Sequence, residues 1–489
     1  MVSPVLLVAV PLGLAFIIPL VGFISKKIIK YIPVVALLFN LVVALLLIPK
    51  ALDQPIVVHI GGFPPPFCIN LFAGPIGMLF SAIIALTGLL IAIYALVYIK
   101  EGPKEKYHIL YLLLLTGATG VVLTGDIFNL FIFFEIFCIS SYALVAYNGN
   151  RESIESSVKY LIQGAVGSSL LLIGIGLLYG LFGTLNMADL ARHIESASPV
   201  SVFVPMALII TGLGVEAAIF PLNAWLPDAY SSAPSSISAI LAGIDVEVGL
   251  YAVIRILFTI FDASSIFMFL GFLGILTLLI GEMCALTQNN IKRMLAYSSI
   301  GQIGLIVFAL SIATPYAVTG GLFQMVSHTL CKTLMFLAVG FMIYRSGSME
   351  IPSFEGMGKR MPLTSLAFTI GAFSIVGLPP FIGFPSKFLI VRAALAKEEI
   401  LFTLLIGLVL LVTIIEAAYF FRVVQVLYFR KGNGSFERKE APITALIPMF
   451  ILVALILVIG IYPQLVTNVL NSAASELLNR MDYIRSVLG

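Results

Sequence analysis

Charge is what this chain lacks most: 10% of its 489 residues are Asp, Glu, Lys or Arg, against 60% hydrophobic. That excludes an ordinary soluble surface, since about a quarter of a typical globular chain is charged. A mean hydropathy of +1.12 reads instead as a polytopic membrane protein. A net charge of +3, scattered over short loops, is too small for a nucleic-acid-binding face. Cysteine is scarce too. Cys68, Cys138, Cys284 and Cys331 show no Cys-x-x-Cys spacing, and three lie in apolar runs, where cysteine behaves as a small hydrophobe. Neither a metal site nor a disulfide is expected from them, and no cofactor motif is present. Long polar stretches are also missing: the longest, about 50–71, 184–200, 345–362 and 429–441, are too short to build a core of their own. Residues 1–489 are therefore expected as one transmembrane domain without a catalytic module, leaving any chemistry on a soluble substrate to another subunit.

What is there is apolar sequence in spans. About 20 residues cross about 30 Å of hydrocarbon, which gives about fourteen helices in an all-α fold. They lie near 4–24, 31–49, 72–98, 107–125, 127–148, 155–183, 201–226, 234–260, 264–284, 293–312, 316–344, 363–396, 400–428 and 442–462. No small-residue cleavage site follows 4–24, so it reads as a retained helix rather than a signal peptide. Lysine and arginine test the count, because they concentrate in cytoplasmic loops. Loops after odd-numbered spans hold sixteen of the 27 basic residues, including Lys26, Lys104, Lys292, Arg345, Arg430 and Lys431, and the other side holds five. The alternation predicts a multi-pass protein of the cell membrane with both termini extracytoplasmic. The C-terminal stretch of about 465–489 is amphipathic, with Leu477, Leu478, Ile484 and Val487 among Glu476, Arg480, Asp482 and Arg485. It is expected to lie along the surface or dock on a neighbour.

Inside the spans stand Glu135, Glu216, Glu247 and Lys387. A charge at the bilayer centre costs roughly 2.5–3.5 kcal/mol on insertion scales, so such residues by default face water or a partner and mark an ion path. Two spans also carry breaks. Phe220-Pro-Leu-Asn-Ala-Trp-Leu-Pro-Asp228 in span seven contains Pro221 and Pro227, and Gly377-Leu-Pro-Pro380 in span twelve contains Pro379 and Pro380, ahead of Gly383 and Pro385. Each break frees backbone groups in mid-membrane. These survive only when buried in protein or lining water, and paired broken helices point to transporters built from repeats. The breaks are five spans apart, as are the glycine-rich spans six and eleven. Kinks in packed helices are the plain alternative.

Four segments carry a family resemblance: Leu123-Thr-Gly-Asp-Ile-Phe-Asn-Leu-Phe-Ile-Phe-Phe-Glu135; Phe220 to Tyr230 with Pro234 and Ser238-Ala-Ile-Leu-Ala-Gly243; Ile291-Lys-Arg-Met-Leu-Ala-Tyr-Ser-Ser299; and Gly377-Leu-Pro-Pro-Phe-Ile-Gly383 to Lys387. Together they resemble the proton-translocating, antiporter-like subunits shared by Mrp cation/proton antiporters, respiratory complex I and membrane-bound hydrogenase-type complexes. The Mrp D type is the nearest likeness, and no segment is long enough for a lateral piston helix. The resemblance implies two inverted five-helix repeats, about 107–260 and 264–428, and a hydrated axis along the membrane middle. By the same resemblance Glu135 matches the fifth-helix glutamate, Lys387 the twelfth-helix lysine or glutamate, and His328 and Lys332 a histidine and lysine of the eleventh helix.

The departures concern sign. Glu216-Ala-Ala-Ile-Phe-Pro221 stands where the family has Lys-Ala-Ala-x-x-Pro, and Glu247-Val-Gly-Leu-Tyr251 where it has a lysine before Val-Gly-x-Tyr. Gln324, Asn223 and Tyr230 replace further histidines. A Glu135–Glu216 pair within contact range would repel itself and hold a proton or recruit a cation; Asp245, two residues before Glu247, is expected to point elsewhere. Three readings follow: an all-carboxylate proton relay, an oxygen-rich pocket for a hard cation such as sodium, or a passive spacer that has lost its lysine switch. Lys159 is read either as approaching the span-seven site or as snorkelling to the interface. Glu416, in the repeat partner of span eight, is the better of two further candidates, Glu282 being the other. Arg255 and Arg422 are read as interface anchors, Trp225 as packing the hinge, and Phe131, Phe133, Phe134 and Phe137 as facing lipid or a neighbouring subunit.

The function expected is an ion-translocating subunit, moving protons and coupled or not to sodium, within a respiratory complex of hydrogenase, sulfur-reductase or complex I type. Other membrane subunits and peripheral iron–sulfur subunits are the expected partners. The D-type component of an Mrp sodium/proton antiporter is the alternative, with a freestanding carrier as a rival of a different class. The sequence leaves the choice of complex, the ion and any redox substrate open.

Overall fold

The structure, a computed structural model, describes residues 2–262, 266–430 and 438–489; Lys431, counted on the basic side, lies outside the described residues. Among these residues thirteen helices are long and apolar enough to cross a membrane. Spans one to six are Leu6–Ile24, Ile29–Asp53, Pro75–Tyr98, Lys104–Leu123, Ile127–Asn148 and Arg151–Phe182. Spans eight to eleven are Ser235–Phe261, Phe267–Thr287, Ile291–Ser311 and Pro315–Ser346, and spans thirteen and fourteen are Ile400–Tyr428 and Ile443–Ile461. Span seven starts as Pro199–Glu216 and resumes as Leu226–Ser232, six residues beyond the end expected for it. Span twelve is the fourteenth: it falls below the length of a spanning helix only because it is broken into Pro362–Val376 and Gly383–Leu395. The loop after span two holds the one departure from an all-α chain among the described residues, a hairpin pairing Ile56–His59 antiparallel with Asn70–Ala73.

Both breaks are chemically closed rather than left open. In span seven Trp225 donates its indole N–H to the Val215 carbonyl (2.8 Å), Gln163 of span six donates to the Leu222 carbonyl (2.5 Å), and Thr277 of span nine accepts the Phe220 N–H (3.1 Å). In span twelve the freed Val376 carbonyl accepts from the Lys387 ammonium at 3.3 Å. Side chains thus take over the bonds that the prolines remove.

Spans eight, ten and eleven are buried almost along their whole length, while six and thirteen are mostly exposed. The molecule therefore has a central row of three helices flanked by the two broken ones. Glycines let the outer helices close on it. Gly274 and Gly281 of span nine abut Gly304 and Gly301 of span ten, and Gly167 of span six abuts Gly212 of span seven. A Cβ at Gly212, Gly274, Gly281 or Gly304 would strike the facing backbone, and one at Gly301 the Glu282 side chain, the logic of small-residue helix contacts in membranes.

One tie occurs twice. Ahead of span five, Asp126 bridges Asn186, with the Ile127 N–H on the Leu185 carbonyl and the Met187 N–H on the Gly125 carbonyl. Ahead of span ten, Asn290 bridges Glu350, with the Ile291 N–H on the Met349 carbonyl and the Ile351 N–H on the Asn289 carbonyl. Each first partner also caps its helix: Asp126 accepts from the Asn129 N–H, and Asn290 from those of Lys292 and Arg293. The C-terminal helices, Gln464–Leu478 and Arg480–Leu488, dock on this chain itself.

Several residues sit otherwise than the sequence suggests. Arg255 is not an interface anchor. It is buried, pairs with Glu476 of the C-terminal tail at 2.5 Å and lies over the rings of Phe72 and Tyr483. Phe134 and Phe137 are buried rather than turned to lipid, because helical spacing puts them on the face that packs inward. Lys292, grouped with the loop cations, is buried and donates to the Ala233 carbonyl at 2.5 Å.

Candidate ion path

Three polar clusters follow one another along the central row. The first joins spans five to eight. Glu216 is the last residue of the first half of span seven, and Asp245 closes a π-helical stretch, Leu241–Asp245, in span eight. The Tyr160 hydroxyl of span six lies between them, within hydrogen-bond reach of Glu216 Oε1 and at 2.7 Å from Asp245 Oδ2. Ser141 of span five donates to Asp245 Oδ1 at 2.8 Å. Trp225 stacks flat on the Tyr160 ring, with centroids 3.8 Å apart and planes inclined by 2°. The partner of Glu216 is thus Asp245 rather than Glu135, and helix geometry explains why. Residues two apart on a helix point about 200° apart, so turning Glu247 toward span eleven turns Asp245 toward spans six and seven. Glu135 is half-buried beside this cluster, with its Oε1 enclosed and making no hydrogen bond.

The second cluster is a single pair at the centre, His328 Nδ1 to Glu247 Oε1 at 2.6 Å, both fully buried. The outward atoms, Glu247 Oε2 and His328 Nε2, have no protein partner. Lys332, one turn along span eleven, donates to the Leu295 carbonyl at 3.0 Å.

The third cluster joins spans ten to thirteen. Lys387 meets Glu416 Oε2 at 2.6 Å. Glu416 Oε1 accepts from Gln302, whose carbonyl accepts from Gln324, whose carbonyl accepts from Ser386. These three bonds are 2.6–2.7 Å long. Beside them Tyr419 donates to Glu282 at 2.8 Å.

Lys159 lies outside the row. It is half-exposed and pairs with Glu155 (2.9 Å) and Asp228 (3.1 Å). With Arg293, 2.6 Å from the other Asp228 oxygen, these residues line a polar surface cleft of about 380 Å³ at the end of span seven. Arg422 donates to the Gln288 carbonyl at 2.6 Å. Tyr160, Gln302 and Tyr419 are site residues that the sequence reading missed. Their one signal was position, polar groups on spans whose expected repeat partners already held candidates, and position alone does not single out two tyrosines among 18.

Buried, linked titratable groups beside two closed breaks define a membrane protein of the ion-translocating class. Likeness to known proteins gives the family. Residues 124–414 match the family "NADH:quinone oxidoreductase/Mrp antiporter, TM", and the chain belongs to it. It is 34% identical to NADH-quinone oxidoreductase subunit N of Desulforudis audaxviator, over 96% of this chain and 98% of that one. Among solved structures, it is similar to a chain of the membrane-bound sulfane sulfur reductase, an archaeal respiratory membrane complex: 43% identity, TM-score 0.94, 99% and 100% covered. It is also similar to a chain of the Mrp complex from Dietzia sp. DQ12-45-1b: 26% identity, TM-score 0.91, 99% of each covered.

Proposed function

We propose that this protein is an ion-translocating, antiporter-like subunit of a redox-driven respiratory membrane complex, with protons as the ion moved along the buried row. The carrying observation is that row. Glu216, Asp245, Glu247, His328, Lys332 and Glu416 are buried, with Lys387 partly buried among them, each near a hydroxyl, an amide or an opposite charge. The orphaned atoms of Glu247 and His328 mark the gap where water would complete a proton wire. A passive spacer would have no reason to keep so many desolvated ionisable groups. The assignment to a redox complex rather than an Mrp antiporter rests on the greater likeness to the sulfane sulfur reductase chain, 43% against 26% identity. On this reading the two halves, about 107–260 and 264–428, act as repeats, other membrane subunits and peripheral iron–sulfur subunits are the partners, and both termini face away from the basic loops, outside the cell.

The test is flux of protons and of sodium, measured separately in vesicles carrying the intact complex. Glu247→Gln is expected to abolish proton flux. Glu216→Lys, which gives Asp245 a cationic partner, is expected to retain it. Full flux in Glu247→Gln would reject conduction along this row and leave the spacer, and sodium flux lost in its place would identify the cation.

A further inference from the structure

The first cluster contains more than a carboxyl pair. A phenol has one proton, so it donates one hydrogen bond and can only accept a second. The Tyr160 hydroxyl is bonded to Glu216 Oε1 and to Asp245 Oδ2 at once. Two ionised carboxylates are acceptors only and cannot both be satisfied by it. One carboxyl must therefore be the donor to the tyrosine oxygen and hold a proton itself.

Which one is decided by the surroundings. Ser141 donates an O–H to Asp245 Oδ1, whereas the further donor beside Glu216 is the Cys138 thiol, a weak one, so Asp245 is the better suited to be the anion. Glu216 ends a half-helix, whose C-terminus carries partial negative charge and disfavours an anion there. The other ionisable neighbours on spans five and six, Glu135, Cys138 and Tyr142, include no cation to offset it. Trp225 and Tyr142 clamp the Tyr160 ring face-on and edge-on, leaving the O–H free to rotate while the oxygen stays in place.

On the ion-path reading above, we infer that Tyr160 is a proton relay: its hydroxyl shares one proton between Glu216 and Asp245. In the resting arrangement Glu216 is protonated and donates to the phenol oxygen, which donates to Asp245. In transfer the Glu216 O–H bond breaks as a bond to the phenol oxygen forms, and the phenol's own proton passes to Asp245. One proton moves from Glu216 to Asp245, and the tyrosine is neutral before and after. Once Asp245 has passed its proton on and Glu216 has taken up another, rotation of the O–H resets the relay. Because Trp225 belongs to the break in span seven and holds the Val215 carbonyl, any shift of that break moves the relay oxygen with it.

The test is infrared spectroscopy of the intact complex at neutral pH, with proton flux beside it. Wild type is expected to give a protonated-carboxyl C=O band that Glu216→Gln removes. Tyr160→Phe, which keeps the stacked ring, is expected to shift that band and lower proton flux by at least about tenfold. Tyr160→Leu, which removes the stacked ring as well as the hydroxyl, gives the size of the packing effect by its difference from Tyr160→Phe, so that loss of the hydroxyl is read apart from it. A band indifferent to Glu216→Gln, or one that Tyr160→Phe leaves in place with flux unchanged, would overturn the relay. Wild type without any flux would instead reject the function proposed above, and the infrared band alone would then decide whether the shared proton exists.

Discussion

The two halves of this molecule solve one problem in opposite ways. Where broken span seven meets span eight, two acids face each other, Glu216 and Asp245; where broken span twelve meets span thirteen, a base faces an acid, Lys387 and Glu416. The second pair is satisfied by charge. Its ammonium is held by a carboxylate and by the carbonyl freed at the break, and its carboxylate by Gln302 as well. The first pair cannot be satisfied by charge and needs a proton and a shared hydroxyl. On the relay reading a proton is thus a structural part of the first half, whereas the second is held together by opposite charges.

The largest expected effect follows from removing charge in the second half. Lys387→Met leaves Glu416 buried without its cation, and losing one member of a buried pair costs about 3–5 kcal/mol. The apparent Tm of the complex in detergent is expected to fall by several degrees, and an unchanged Tm would mean that the pair does not hold spans twelve and thirteen.

An intermediate effect belongs to the caps. Asn290 caps span ten without charge, whereas its counterpart Asp126 is a carboxyl that burial pushes up from 3.8 to about 6. The folded state therefore keeps a proton that the unfolded chain releases near pH 4. This contribution is full below that and is lost as pH rises through about 6, by at most about 3 kcal/mol. Asp126→Asn should keep the cap and flatten that part of the Tm-against-pH curve, making the first half behave as the second does.

The smallest effect is the most discriminating. Glu216→Gln replaces a protonated carboxyl with an amide of similar shape that still donates a hydrogen bond. Stability is expected to change by less than about 1 kcal/mol. A loss as large as that of Lys387→Met would show that Glu216 is ionised, and would erase the distinction between the halves.

Most of the helical fold was legible because hydropathy has a length scale: about twenty apolar residues read the same whatever packs on them. The breaks at Pro221 and Pro379 were legible for the same local reason. Partners were not. That Glu216 meets Asp245 depends on how span eight is wound and on spans six and seven closing through Gly167 and Gly212, and nothing local encodes either. Arg255 was misread because its partner lies 221 residues away, in a segment whose amphipathic pattern shows only that one face is buried, not against what. Phe134 and Phe137 failed for a related reason, since lipid and protein interior are equally apolar and the sequence does not distinguish them.

The bond between Arg255 and Glu476 bears on the order in which the chain is made. Arg255 is laid down in span eight long before Glu476 exists, so during synthesis the membrane receives a guanidinium whose carboxylate is six spans in the future. Until Glu476 is made, Phe72 of the early hairpin is the cation's available company. When Glu476 arrives it also takes the Ile76 N–H at the start of span three, so a segment made late fastens one made early to the middle of the molecule.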